Sequence, residues 1–300
     1  MERGTIPASG LVGGIDLYRT LESGQSYLWS RSDGDMYTGE PNPKAWYRTV
    51  VDGVPVAVRQ PAGAPDGDLE WRSTTDAVPY LRRLLRLEDD LAAIAADAPE
   101  DPLLREAYAA HDGMRLVEDP PFATTISFIC SAQMRVGRIH DMVSTLARTY
   151  GDTHELGDAT VHAFPSPDRL APASEAELRE HRLGYRAPYV QRTAEMVATG
   201  EAHPAEARAL EYEAARSHLT QFVGVGEKVA DCILLFSLGF DQAVPLDTWI
   251  RTAIATYYPD CDRGNYAETS EAIRDRLGGR YAGYAQTYLF HHLRTGAVND

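Results

Sequence analysis

The stretch from Leu219 to Trp249, LTQFVGVGEKVADCILLFSLGFDQAVPLDTW, limits what this chain can fold into more than any other. Gly224-Val225-Gly226 lies between two helical patterns and forces a tight turn. Two helices joined in this way aim several backbone N–H groups in one direction, which seats an anionic oxygen without any side-chain charge. A plain helix corner closed by a glycine would use the same residues. Lys228 follows in the first turn of the next helix, where the helix dipole disfavours a cation. The only other lysine in the 300 residues is Lys44. Arginine carries the rest of the basic charge, and arginine cannot lose its proton to act as an amine nucleophile. The dipole and the neighbours Val229, Cys232 and Ile233 favour a neutral amine at Lys228, one able to form a Schiff base. Asp247 opens a further helix after Pro245-Leu246. It is worth about 1 kcal/mol as an N-cap. It also suits a carboxylate that steadies developing positive charge or helps the lysine lose its proton, and the two roles are compatible.

Composition limits the setting. No apolar run is long enough to span a bilayer, and the N-terminus MERGTIPASGLVGG shows no secretory pattern. Cys130, Cys232 and Cys261 are odd in number and widely spaced, which disfavours a disulfide framework, a zinc knuckle or a four-cysteine iron–sulfur cluster. The expected setting is therefore cytoplasmic. Acids outnumber bases by 44 to 29, a net charge of −15, which argues against a general nucleic-acid binder. An acid-rich surface with almost no lysine is also what solubility in concentrated salt demands. There, screening over a few ångströms hides the acid excess from a DNA ligand. The same salt weakens counterion-driven binding, so shape, stacking and fixed backbone donors must supply more of the affinity.

The fold class is expected to be α+β. A small N-terminal antiparallel β-sheet domain with its following helices occupies 1–115, and a large all-α domain occupies 116–300, with its hairpin at about 212–238. Residues 14–72 read as strand-like, with Ala45–Val51 and Val54–Gln60 paired across Asp52-Gly53 and a short strand at Leu69–Arg72. From Thr75 onward the pattern is helical throughout. Asp101-Pro102 starts one helix, Phe122–Ser131 is apolar almost all round, and Arg135–Tyr150 ends at Gly151 as C-cap. Ser174 and Glu177 form a capping box. Further helices are expected at Ala187–Thr199, Pro204–Phe222, Glu227–Leu238, Thr248–Tyr257, Tyr266–Leu277 and Tyr281–Leu293.

The glycine turn, Lys228 and Asp247 together resemble the helix–hairpin–helix Gly/Pro–Asp superfamily of DNA glycosylases, and within it the 8-oxoguanine DNA glycosylases. The resemblance runs through nearly the whole chain in separate blocks: SGQSYLW from Ser23, ISFICS from Ile126, HAFPS from His162, LGYRAPYV from Leu183, GEKVADC from Gly226, and YAGYAQ from Tyr281 on to Phe290. It implies a bifunctional glycosylase and abasic-site lyase acting on double-stranded DNA that contains oxidised guanine. Lys228 would attack the anomeric sugar carbon, and Asp247 would assist. Gly224, Val225 and Gly226 would hold a phosphate. Gly24 would read the oxidised purine through its carbonyl, Cys232 and Phe290 would sandwich the ring, and Gln286 would read its pairing edge. Arg138, Arg186 and a wedge, Tyr185, would face the opposite strand together with Gln133.

The resemblance implies a monomer that needs no metal or other cofactor for the chemistry, with the hairpin as the one place for a monovalent or divalent cation. Three positions depart from the family. Ala132-Gln133-Met134-Arg135 stand where asparagines follow Cys-Ser, Trp249 stands for a histidine, and Val223 for a common proline. The first loosens the expectation for the opposite base. Two other readings remain at this point: a monofunctional glycosylase for alkylated bases, against which Lys228 speaks, and a non-enzymatic DNA-binding protein that uses the hairpin only for phosphate.

Overall fold

Asp52-Gly53 makes the hairpin on which the N-terminal sheet is built. In the computed structural model, which describes residues 1–296, both residues take left-handed backbone angles, φ 51° and 76°. A two-residue turn between right-twisted strands needs that pair of angles. The sheet comprises β1 (Glu2–Ile6), β2 (Ser30–Arg31), β3 (Tyr47–Val51), β4 (Val54–Arg59) and β5 (Leu69–Ser73). All neighbours are antiparallel, in the spatial order β1-β5-β4-β3-β2. Tyr47 pairs with Val58 and Val51 with Val54, so alternate residues of both strands turn to one face. That face packs on Leu17, Leu21, Trp29 and Leu81.

Two elements overturn the expectation for the first quarter. Residues 14–30 are not strand-like throughout but contain helix α1 (Leu17–Glu22), whose N-cap Asp16 accepts from the Arg19 N–H at 2.8 Å. Strand β1 was not foreseen, and it closes the sheet's far edge against β5.

The helices are α2 (Val78–Leu84), α3 (Leu91–Asp97), α4 (Pro102–Ala110), α5 (Pro121–Cys130) and α6 (Val136–Tyr150). Here the expected helical run breaks, because β6 (Thr153–Leu156) and β7 (Ala159–His162) form a second hairpin with Gly157 left-handed at φ 68°. Leu156 and Val161 pack on Ala57, Trp46 and Val50 and cover part of the sheet's second face. Gly151 ends α6, but in an extended conformation at φ −83°. A side chain there would meet the Ala163 carbonyl at 1.8 Å, so the glycine serves close backbone approach and not a left-handed cap.

The chain continues as α7 (Pro167–Leu170), α8 (Glu175–Glu180), α9 (Ala187–Ala198), α10 (Tyr212–Leu219), α11 (Glu227–Ser237), α12 (Thr248–Tyr257), α13 (Tyr266–Arg276) and α14 (Ala282–Gly296). The capping box at Ser174 and Glu177 is present. The single helix expected over 204–222 is instead a 3₁₀ turn, Pro204–Ala209, and the separate α10. Leu210 and Glu211 between them are extended, which turns Tyr212 inward to donate its hydroxyl to Asp231 at 2.7 Å.

The helical core gathers around α5, buried from Phe122 through Cys130 as its all-round apolar pattern requires. Leu91, Ile94, Leu104, Ala107 and Met114 join this core, and so does Tyr27 from the N-terminal part of the chain. Arg115 stitches the two layers. It is 1% exposed and donates to the carbonyls of Gly14, Arg86, Asp89 and Val12 at 2.9–3.0 Å. Arg86 adds a two-pronged bond to Asp241 at 2.5 and 3.0 Å.

Asp119, just before α5, is buried with one carboxylate oxygen unpartnered, and burial pushes its carboxyl up to about 7. A folded-state value above the unfolded one favours folding at low pH, and that contribution is lost as pH rises through about 7. Asp119→Asn is therefore expected to stabilise the protein at about pH 8 by on the order of 2 kcal/mol more than at about pH 5, because the loss runs from the unfolded value of about 4 up to about 7. Urea unfolding at both pH values checks this.

Candidate active site

The glycine turn forms as the sequence demands. Gly224 is left-handed at φ 90°, and a side chain there would strike Tyr189 at 2.8 Å. Gly226 is the uncapped N-cap of α11 and faces open space. Among the described residues, the N–H groups of Gly224, Gly226, Glu227, Lys228 and Val229 find no acceptor, whereas that of Val225 donates to the Phe222 carbonyl at 3.0 Å. The cradle is thus made of both glycines and the first turn of α11. Val225 supplies a buried side chain beneath it.

The hairpin is braced from behind. Asp231, fully buried on α11, accepts from the hydroxyls of Tyr212 and Tyr266 at 2.7 Å each, and burial raises its carboxyl to about 6. These bonds tie α10, α11 and α13 together and fix the direction in which the cradle points.

Lys228, in the first turn of α11, is half-buried, and its side chain reaches into a cleft of about 980 Å³. Its Nζ donates to Ser131 Oγ at 3.3 Å and stands 5.7 Å over the Phe128 ring. Ser131 Oγ donates its own proton to the Phe128 carbonyl at 2.7 Å, which leaves the oxygen free to accept from the amine.

Asp247 lines the cleft as well and caps α12, accepting from the Ile250 N–H at 2.8 Å. Burial raises its carboxyl above the ordinary carboxylate range. The Ile250 N–H, the Lys228 charge, the Trp249 N–H and Arg294 pull the other way. Cap and cleft carboxylate are one group, held in place by the helix it starts.

The cleft is closed by both ends of the chain. Gly24 is left-handed at φ 100°, and a side chain there would lie 3.2 Å from Val136 Cγ1 and 3.5 Å from Phe290 Cε1. Gln25 fixes this loop by donating to the Arg115 carbonyl at 2.9 Å and to Ser23 Oγ at 2.9 Å. Arg294 fixes it from α14, donating to the Glu22 carbonyl at 3.0 Å, with its guanidinium 5.5 Å from the Phe290 ring centre. Cys232 and Gln286 are both 3% exposed and line the cleft with Phe290. Burial pushes the Cys232 thiol up to about 12, so it is an apolar wall and not a nucleophile. Tyr27 meets Phe128 edge-on at 5.9 Å, and Phe128 stacks on Phe236 at 5.7 Å, giving an aromatic floor.

Lys228, Asp247, Gly24, Cys232, Gln286 and Phe290 therefore meet in one cleft with the two hairpin glycines. The remaining candidates are dispersed around its mouth. Gln133 is exposed at the rim with φ 55°. Tyr185 is 52% exposed. Arg138 lies outside the cleft, in a neighbouring groove. Arg186 is 3% exposed, so it is not part of a solvated helix face. It donates to the Ala132 carbonyl, packs 4.4 Å from the Tyr185 ring centre, and leaves its Nε unpartnered.

Sequence reasoning gave no role to Ser131, Phe128, Gln25, Asp231 or Arg294. Asp231 and Ser131 lay within quoted blocks without a stated function, and Arg294 carried no local signal. Among the described residues no group of His, Cys, Asp and Glu gathers that could hold a metal ion, and no helix is long and apolar enough to cross a membrane.

A family model described as HhH-GPD superfamily base excision DNA repair protein matches residues 126–278. The chain is similar to a probable N-glycosylase/DNA lyase of Methanothermobacter thermautotrophicus, 30% identical over 96% of each chain. It is also similar to an N-glycosylase/DNA lyase of Arabidopsis thaliana, 32% identical over 92% of this chain and 76% of the relative. Among solved structures, it resembles the 8-oxoguanine glycosylase/lyase of Clostridium acetobutylicum in complex with double-stranded DNA containing cytosine opposite the lesion. The TM-score is 0.81 at 25% identity, covering 94% of this chain and 93% of that one.

Proposed function

The chain belongs to the HhH-GPD superfamily of base excision DNA repair proteins, and from that premise we propose that it is a bifunctional DNA glycosylase and abasic-site lyase that removes 8-oxoguanine from duplex DNA. One observation carries the assignment of roles. Lys228 and Asp247 open into a single cleft whose far wall, Gly24 and Phe290, comes from the opposite ends of the chain. Its volume of about 980 Å³ is ample for a flipped-out purine nucleoside. A hairpin that only bound phosphate would need neither the amine nor the pocket.

The chemistry follows from the placement. The hairpin N–H groups hold a backbone phosphate beside the lesion. The flipped base lies between Cys232 and Phe290, with Gly24 and Gln286 at its edges. Lys228 gives a proton to Asp247, and its Nζ attacks the anomeric carbon as the bond to the base breaks. The base leaves with the proton that Asp247 returns, and the nitrogen then passes a proton to the ring oxygen as the sugar opens to the Schiff base. Asp247 also steadies the positive charge that builds on the sugar. The Schiff base then makes the adjacent sugar carbon acidic. Loss of its proton expels the 3′ phosphate by β-elimination and nicks the strand. To a cation the hairpin presents carbonyl oxygens, and those of Phe222 and Val223 already accept from Val225 and Thr193; the chemistry draws on none.

The acid-rich surface, with arginine in place of lysine, supports activity in concentrated salt. Opposite the lesion, Gln133 stands at the cleft rim, and Arg186 holds the 131–135 loop through the Ala132 carbonyl. A nicking assay on duplexes carrying 8-oxoguanine opposite each of the four bases tests the function. Base release and a β-elimination nick are expected. Release of 3-methyladenine without nicking would favour the monofunctional reading instead.

Gly24 gives a sharper test of the pocket. At φ 100° alanine is strained, and its methyl group would press on Val136 and Phe290. Gly24→Ala is expected to lower kcat/KM for 8-oxoguanine by roughly tenfold to a hundredfold and to narrow its margin over guanine. Unchanged discrimination would remove Gly24 from the pocket.

A further inference from the structure

Beyond the cleft, past Met134, whose side chain lines both, runs a groove of about 450 Å³ between α6 and the end of α8. Arg138, Arg148, His181 and Arg182 line it, with Asp141 and Glu180. Among the described residues none of these three arginines has a carboxylate at ion-pair distance, and Arg148 bonds only the Thr145 hydroxyl, at 3.1 Å. Elsewhere arginine is commonly paired, as in Arg59–Glu70, Arg192–Glu201 and Arg208–Glu118. On a chain of net charge −15, a cluster of unpaired guanidinium groups marks a place kept for an anion.

Two geometric facts narrow the ligand. Arg138 and Arg148 share one face of α6, ten residues apart, which at 1.5 Å per residue spans roughly 15 Å. That is the axial length of about four nucleotides of one strand. Arg182 is exposed and left-handed, φ 67°, in the short turn after α8. Glycine takes that conformation freely and arginine does not. The strain is carried where it holds a guanidinium at the groove's mouth.

We propose that this groove seats the phosphates of the strand opposite the lesion, with Arg148 and Arg182 as direct contacts. The proposal rests on the glycosylase reading and assigns the partner surface that the hairpin lacks. The hairpin holds the lesion strand on one side of the cleft, the 131–135 loop bounds the other side, and the groove begins beyond that loop.

The test compares wild type with Arg148→Ala and Arg182→Gly, measuring affinity for an 8-oxoguanine duplex and for the same lesion in a single strand across salt concentrations. For each variant the log–log slope of duplex binding against salt should fall by about 0.9. Duplex affinity should drop severalfold, while single-strand affinity holds. Arg182→Gly removes backbone strain, so its Tm should not fall and lost binding cannot be blamed on misfolding; Arg182→Lys should restore much of the slope. Unchanged slopes, or equal losses on single strand and duplex, would overturn the groove assignment. These readouts do not depend on excision. A wild type that releases no 8-oxoguanine but whose duplex slope falls with each variant would sink the glycosylase reading and leave the groove as a duplex surface.

Discussion

Lys228→Gln is expected to abolish both base release and strand nicking, by a factor on the order of 10⁴ or more, because it removes the nucleophile through which both steps pass. Glutamine still reaches Ser131 and fits the half-buried site, so the fold and its thermal midpoint should hold. Duplex affinity should change far less than turnover, since the phosphate cradle is built from the N–H groups of Gly224, Gly226 and their neighbours. Lys228→Arg sharpens the test. It keeps a cation over Phe128 but cannot offer a neutral amine, so it should be as inactive as the glutamine variant. A charge-only role for Lys228 would leave the arginine variant substantially active.

Asp247→Asn should lower excision by roughly 10²- to 10⁴-fold while leaving stability nearly unchanged. Asparagine caps a helix about as well as aspartate, so the bond to the Ile250 N–H survives and only the charge is lost. Asp247→Ala loses the cap too and should cost about 1 kcal/mol of stability in addition. The pH profile separates the two roles. Burial raises the Asp247 carboxyl, so the working carboxylate forms only above the ordinary range near 4. The acid limb of kcat/KM should therefore lie above that range in wild type and vanish, with low residual activity, in the asparagine variant. An unshifted limb with full activity would reduce Asp247 to a cap.

How much of this was legible in the sequence depends on how far apart the interacting residues lie. Local rules sufficed where a single turn or cap decides the geometry: Asp52-Gly53, the capping box at Ser174, and the Gly224 turn behave as their residues dictate. They failed where tertiary contact decides. Gly151 looks like a left-handed cap, yet it is extended because Ala163 passes against it. The β6–β7 hairpin carried its own signals, alternating residues around Gly157-Asp158, but a helical context on both sides hid them. The pocket is the extreme case. Gly24, Cys232 and Phe290 are distant in sequence, and nothing in composition or periodicity places them together. The resemblance proposed that grouping, and the coordinates supply its mechanics: Gln25 and Arg294 clamp the Gly24 loop, and Ser131 aims Lys228. Arg186, which the resemblance turned toward the opposite strand, carried no sequence signal of its burial or of its bond to the Ala132 carbonyl.

The central claim, that Lys228 forms a covalent bond to the sugar as the damaged base leaves, is tested most directly by borohydride trapping. The wild-type protein would be incubated with an 8-oxoguanine duplex and borohydride, and the adduct digested and sequenced by mass spectrometry. A stable protein–DNA adduct carried on Lys228, absent from Lys228→Gln, is the predicted result. An adduct on another residue, an adduct that survives Lys228→Gln, or base release with no adduct at all would contradict it.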